Sequence, residues 1–313
     1  AAAPADLQIA DAPCRVFLSA TGRMVRAELV PDAPGGGIVP PARRSKHDAI
    51  RSAVDTTTRG DLGAVTTLGR LVRFTPVDLP SVPANSVQLA AGTRAAQYLG
   101  LGANEHVLAL VPLTADAPIA LGTAQGVVKR VAATELPAGK PDVEIIALKP
   151  GDTVVGAALA ADGTELVFVT TDAQLLRFEA GAVRPQGRSA GGMAGIRLAG
   201  DARVIAFTAV TATDDTVVAT VAGSTAALPG TDAGSAKVSA FSEFPAKGRA
   251  TGGVRAQRFL RGEDALILAW VGDAPRAVGA DGSVRQLPEP GAKRDASGQA
   301  LDAVIGAIGT AVS

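Results

Sequence analysis

The feature that most constrains this chain is a repeated hairpin. A β-rich run, a tight turn and a second short run carrying a basic residue recur six times. The copies are "CRVFLSATGRMVRAE", "GAVTTLGRLVRFT", "IALGTAQGVVKRV", "ELVFVTTDAQLLRFE", "TVVATVAGSTAAL" and "APRAVGADGSVRQL". Their turn residues read as Gly22, Gly69, Gly126, Ala173, Gly223 and Gly282, spaced by 47, 57, 47, 50 and 59 positions. A period of this length, made of hairpins, points to an all-β solenoid or propeller. A second element follows most copies: an apolar alternation, a charged turn and another apolar run, as in "VEIIALKPGDTVVGAAL" from Val143 and "VRAQRFLRGEDALILAWV" from Val254. Together they give about four strands per unit. No window reads as a long amphipathic helix. The expected fold is a six-bladed toroid of four-stranded blades, occupying residues 13–313 as one domain.

A core made of such strands is possible because 47% of the 313 residues are hydrophobic, although only 3% are aromatic. No apolar run approaches eighteen residues, so a membrane span is not expected. The opening "AAAPADLQIADAP" lacks the basic start and long apolar stretch of a signal peptide. It reads instead as a linker over residues 1–12 from a missing N-terminal region. One cysteine, Cys14, rules out an internal disulfide framework and a cysteine-built zinc site, in keeping with a reducing cytoplasm.

The 30 basic and 30 acidic residues cancel, yet 23 of the basic ones are Arg and seven are Lys. The planar fork of arginine suits phosphate, whereas a GC-rich genome would produce the same bias without any role. Placement is more telling. Arg26, Arg73, Arg130 and Arg177 each stand four positions after a turn residue, Lys129 and Arg285 stand three after, and the fifth unit has Ala227. A fixed offset along a strand puts these side chains on equivalent faces. They would form either a basic belt around a ring or the charged outer members of edge strands, where charge discourages aggregation.

Two further arginines are bracketed by glycine in the same way. "QGRSAGGMAGIRL" from Gln186 and "KGRATGGVRAQRF" from Lys247 are alike, 61 positions apart. Glycines so placed allow positive φ and close approach to a ligand. Free amides beside the Arg188 or Arg249 guanidinium suit a phosphate oxygen. Alternatively each is a glycine-rich connector with a solvated arginine.

The ordered combination of "LLRFEAGAVRPQGRSAGGMAGIRL", "DARVIAF" and "FSEFPAKGRATGGVRAQRF" resembles the C-terminal domain of the type IIA topoisomerase A subunit, the family of DNA gyrase and topoisomerase IV. The resemblance runs from about Cys14 to the last unit and is strongest between Gly122 and Trp270. It implies a six-bladed β-pinwheel that binds duplex DNA around a basic rim, bends or wraps it without reading its sequence, and presents a segment to the catalytic core. The implied DNA-binding residues are Arg26, Arg43, Arg44, Lys46, Arg73, Lys129, Arg130, Arg177, Arg184, Arg188, Arg197, Lys247, Arg249, Arg255, Arg258 and Arg285. The family's first-blade signature, Gln-Arg-Arg-Gly-Gly-Lys-Gly, is degenerate here. In "PPARRSKHDAIRSA", Arg43, Arg44 and Lys46 stand for the basic members, Ser45 replaces one glycine, another is missing and His47 replaces the third. In the family that box is tied to positive wrapping and negative supercoiling, so its erosion implies a topoisomerase IV-like role, with gyrase-type wrapping as the alternative.

The resemblance implies no cofactor for the domain itself. Mg²⁺ and ATP belong to the full enzyme, and the partners are the N-terminal cleavage core and the ATPase B subunit. The isolated domain is expected to be a monomer without membrane contact, in the cytoplasm with the nucleoid. An independent enzyme is disfavoured. His47 and His106 lack metal-ligand spacing, no calcium loop appears, and Tyr98 has no basic neighbour in sequence beyond Arg94. A Trp-Asp-repeat interaction propeller is disfavoured because the single Trp270 is followed by Val271.

Overall fold

The structure is a computed structural model that describes residues 8–114 and 116–313. The expected linker, residues 1–12, lies largely outside the described residues. Among the described residues strand content dominates, with one four-residue α-helix, Ala95–Tyr98, and five short 3-10 turns. Among the described residues no helix is long and apolar enough to cross a membrane.

Six antiparallel hairpins follow one another along the chain, and we number the units by them. Unit 1 pairs Pro13–Ser19 with Arg23–Glu28, unit 2 Leu62–Thr66 with Arg70–Phe74, and unit 3 Ile119–Thr123 with Val127–Val131. Unit 4 pairs Glu165–Thr170 with Gln174–Glu179, unit 5 Val217–Gly223 with Ser235–Ala240, and unit 6 Pro275–Val278 with Val284–Arg285. A third strand joins the first strand of each hairpin from the inside, for example Val204–Val210 in unit 4 and Ala265–Gly272 in unit 5.

The outer partner of each of the first five hairpins comes from the chain that follows the next unit's hairpin. Thr93–Arg94 pairs back onto unit 1, Asp142–Glu144 onto unit 2 and Met193–Ala194 onto unit 3. Val254–Arg255 and Gln299–Ala300 do the same for units 4 and 5. This strand exchange makes the fold a β-pinwheel and ties each of the first five units to its successor.

The sequence puts the fifth turn at Gly223. In the structure Gly223 ends a strand, residues 224–234 form a long loop, and the second strand starts at Ser235. The basic residue of that strand is therefore Lys237, and Ala227 belongs to the loop. The stretch "AKRDASGQAL", loop-like in sequence, contributes the short strand Gln299–Ala300.

The core is distributed between neighbours. Phe168 and Phe207 of unit 4 lie 4.8 Å apart and pack with Ala120, Val128 and Leu166. Phe207 reaches unit 3 because Gly122 and Gly156 have no side chains; a Cβ on either would fall within 2.2 Å of Phe207. Large rings pressed against bare backbone keep the interface closely packed in a chain poor in aromatics.

The last unit meets the first. Thr310 pairs with Ile50, merging two units into one sheet, and the Arg15 guanidinium donates to the Ser313 carbonyl at 2.8 Å. On the outer side of unit 6, where other units receive an exchanged strand, lies the segment Arg43–Asp48. The His47 amide donates to the Gly282 carbonyl at 2.9 Å. Ala95, Ile145, Ile196 and Ala256 do the same to the turn residues Gly22, Gly69, Gly126 and Ala173.

Candidate nucleic-acid interface

The arginines at the fixed offset do not form an open belt. Arg130 is 2% exposed; its Nε donates to the Val183 carbonyl at 2.6 Å and its Nη1 to Ala160 at 3.0 Å, and Nη2 pairs with Asp162. Arg73 donates to Pro137, and Arg177 lies 4.4 Å from the Phe241 ring centroid with its Nε 3.1 Å from Glu165. Pro137, Val183 and Phe241 all lie at the 3-10 corners after the hairpin of the following unit. The offset thus marks an inter-unit clasp. Arg26 is 7% exposed, and its Nε has no hydrogen-bond partner among the described residues.

Lys129 and Lys237, three positions after their turns, are buried as well. Three carbonyl oxygens, of Ile145, Arg188 and Ala190, accept from Lys129 Nζ at 2.7–2.9 Å. Lys237 Nζ donates to the carbonyls of Lys293 and Arg294. Desolvation draws both ammonium groups down to about 8, so they remain charged at neutral pH. Each holds a connector of the following unit against the outer strand. Arg285 is half-buried and donates to the Val304 carbonyl.

The glycine-bracketed loops are those connectors. Gly192 and Gly253 have φ of 83° and 79°, and a Cβ on them would stand 2.7 Å from the Val128 oxygen and 2.5 Å from the Leu175 oxygen. The second glycine of each Gly-Gly pair is therefore needed where the connector crosses the outer strand. The two copies exist because two successive units are crossed in the same way.

The connectors also nest edge to edge. Ala250 donates to Gly195 at 2.7 Å, Arg197 to Thr251 at 2.9 Å and Arg258 to Ala296 at 3.0 Å through their backbone amides, and the Arg249 guanidinium reaches the Ala194 carbonyl at 2.7 Å. A groove of about 690 Å³ opens beside the second loop, lined by Arg197, Lys247, Gly248, Gly252, Gly253 and the carboxylate-bearing Asp172.

Seven of the expected site residues lie in two segments of this strip: Arg184, Arg188 and Arg197 in 184–197, and Lys247, Arg249, Arg255 and Arg258 in 247–258. Neither segment contains an Asp or Glu. Arg184, Arg197, Lys247, Arg255 and Arg258 are exposed, and Arg188 and Arg249 are half-exposed. Sequence reasoning missed the basic residues of the flanking connectors, Lys140, Lys149, Lys293 and Arg294. Ala147 bonds to Ala190, and the Arg294 guanidinium to the Arg255 carbonyl, which places both connectors against the strip. The signal was available: each follows a hairpin at the same stage of its unit.

The degenerate box is split in two. Arg43 and Lys46 are exposed. Arg44 forms a two-point ion pair with Asp48 and donates to the carbonyls of Ala277 and Arg285 at 2.8 and 2.6 Å. His47 adopts a left-handed backbone, the region that favours glycine, with φ of 64°. Its Nδ1 lies 2.8 Å from Thr21 Oγ1, and burial lowers its pKa. Tyr98 packs on Phe74 and donates to the Thr75 carbonyl at 2.6 Å, a packing role. Among the described residues no group of three or more His, Cys, Asp or Glu could hold a metal ion.

Comparison with known proteins agrees with this geometry. A family model described as the DNA gyrase C-terminal domain, a β-propeller, matches residues 118–161, 164–211 and 230–268. The gyrase A protein of Mycobacterium leprae is 29% identical over 245 residues, 76% of this chain and 18% of the relative. That of Salmonella typhimurium is 30% identical over 217 residues, 68% of this chain and 23% of the relative. The chain thus matches less than a quarter of the length of either protein. The C-terminal domain of a DNA topoisomerase IV superposes with a TM-score of 0.71 at 18% identity, covering 96% of this chain and 93% of that one. A DNA gyrase A C-terminal domain gives 0.62 at 17% identity, covering 95% and 99%. The family match over the middle of the chain and the shared fold make this chain similar to the C-terminal domains of the type IIA topoisomerase A subunit.

Proposed function

We propose that this chain is the non-catalytic arm of a type IIA topoisomerase, binding duplex DNA along its nested connectors and bending or wrapping it toward the catalytic core. The observation that carries the reading is the pair of carboxylate-free segments 184–197 and 247–258, which put seven basic residues on adjoining connectors. Phosphate contacts from such a strip fix the path of a duplex without reading bases. Neutral overall charge is no obstacle when the charge is segregated locally. The N-terminal cleavage core of the same polypeptide and an ATPase B subunit are the partners, Mg²⁺ and ATP serve the full enzyme only, and the setting is the bacterial nucleoid. Residues 13–313 act as one domain and residues 1–12 as its linker.

We favour a topoisomerase IV-like role, relaxation and decatenation, because the box has lost its glycines and Arg44 is engaged in holding unit 6. A specific observation favours the second reading, gyrase-type positive wrapping: His47 holds a left-handed backbone, which a glycine at that box position would also accept.

Sealing nicked plasmid around the domain at low salt, stripping the protein and resolving topoisomers on a two-dimensional gel tests both readings. Binding without a shift to positive supercoils is expected. A positive shift would support the gyrase-type reading instead. Absence of binding at low salt would overturn the DNA-binding proposal.

A further inference from the structure

The inner strands of the six units surround a cavity of about 240 Å³. Its lining side chains are mostly apolar, Val155, Ile205, Phe207, Leu268, Trp270 and Ile308 among them, with Thr208 and one charge as the polar ones, and polar atoms make up more than half of the accessible wall. That charge is Arg51. Its Nε donates to the Leu108 carbonyl at 3.1 Å, and among the described residues no carboxylate lies within ion-pair distance of its guanidinium. Arg51 is exposed to solvent, at the boundary of this cavity.

Arg51 also lines a second, wider groove of about 680 Å³ at the turn of unit 1. There the fold brings together Arg23, Arg94, His47 and His106, with Asp281 as the one carboxylate. Asp281 is engaged by the Ser283 hydroxyl and amide. The two histidines of the chain, remote in sequence, thus face one groove. Arg51 thus stands between a pocket lined mostly by apolar side chains and a cationic vestibule.

We propose that this cavity is a binding site for a small amphipathic anion, whose apolar body fills the pocket beside Trp270 and whose anionic head pairs with Arg51 at the vestibule. A guanidinium without a carboxylate partner, at the junction of two cavities, is free to make charge-assisted hydrogen bonds to an anion. A concave pocket lined by apolar side chains, with a few convergent polar groups, is the usual form of a small-molecule site. At roughly 30 Å³ per water-sized group, the pocket holds a ligand of about eight non-hydrogen atoms. Carboxylate and phosphate heads share the required chemistry. This site is separate from the connector strip and does not depend on the DNA-binding reading.

Trp270, the one tryptophan of the chain, lines the pocket and reports on it directly. The test titrates hexanoate, hexyl phosphate and hexanol into the 313-residue chain and reads Trp270 fluorescence, with calorimetry in parallel. One or both anions should give a saturable change, and hexanol should bind at least tenfold more weakly. A preference for hexyl phosphate would mean that the vestibule cations take part; a preference for hexanoate would place recognition on Arg51 alone. Arg51→Met, with its fold checked by circular dichroism, should weaken the anion at least tenfold. Arg51→Lys should recover part of the binding. Equal binding of hexanol, unchanged binding by Arg51→Met, or no saturable response to either anion would each overturn the proposal.

Discussion

The Arg44 guanidinium donates to the carbonyl of Arg285 at 2.6 Å across 241 positions of sequence, joining the first unit to the last. The same side chain is held in place by Asp48, itself 5% exposed. A basic residue that the box pattern marks for DNA therefore closes the ring. Arg44→Ala leaves a buried carboxylate without its cation and two carbonyls without donors. The expected loss is about 2–3 kcal/mol of stability, measured by denaturant unfolding. A midpoint equal to that of the parent protein would contradict the clasp.

Arg130 and Arg197 separate two roles that sequence alone treats alike. Arg130→Ala should lose about 2–3 kcal/mol of stability, and Arg130→Lys should recover little, because one ammonium cannot span the Val183 and Ala160 carbonyls. Arg197→Gln should leave unfolding within about 0.5 kcal/mol of the parent. Its effect should appear in duplex binding, as a salt slope reduced by about one. If the two variants exchanged these behaviours, the assignment of clasp and contact would be wrong.

Gly192 and Gly253 should tolerate no side chain. Alanine at either position meets both a positive φ and a carbonyl closer than 3 Å. Each substitution is expected to cost about 1–3 kcal/mol. Gly187→Ala and Gly248→Ala are the controls, since φ is not positive at either, one Cβ would meet only Glu135 Oε2 at 3.6 Å and the other nothing within 4 Å. Equal melting temperatures for all four variants would refute the close crossing.

His47 sets a pH dependence for ring closure. Burial, then the charges of Arg23 and Lys46, lower its pKa below the ordinary 6.5. The unfolded chain therefore binds more protons than the folded one just below pH 6.5. This contribution is fully present above that pH and declines as pH falls through 6.5 toward the folded value. His47→Asn keeps a side chain that accepts the left-handed backbone and removes the titration. The difference in stability between parent and variant should shift in favour of the variant between pH 7 and pH 5.5. A difference that does not change with pH would exclude His47 as the titrating group.

Much of this fold was legible because the hairpin turn leaves a strong local mark. Gly22, Gly69, Gly126 and Gly282 are turn residues with positive φ, and Ala173 takes the same conformation. The fifth unit misled because its turn is replaced by the 224–234 loop, so counting from Gly223 landed on Ala227 and hid Lys237. The offset of Arg26, Arg73, Arg130 and Arg177 was visible, but its direction was not. Strand periodicity says that side chains share a face and is silent on which face the next unit covers. The glycine-bracketed loops were recognisable as connectors, whereas the nesting of one on the next depends on amide-to-carbonyl bonds between residues far apart in sequence. The meeting of His47, His106 and Arg51 at one groove left no pattern in sequence at all.

Equilibrium binding of a random-sequence duplex, measured from 50 to 200 mM salt, tests the DNA-binding claim most directly. If six to ten phosphates are neutralised along the connectors, affinity should fall roughly 10³–10⁵-fold over that range. Replacing Arg197, Lys247, Arg255 and Arg258 together by Gln should flatten the slope by about four while leaving the fold intact. Tight binding in the parent with an unchanged slope in the fourfold variant would move the DNA path elsewhere on the ring, and no binding at 50 mM salt would contradict the claim outright.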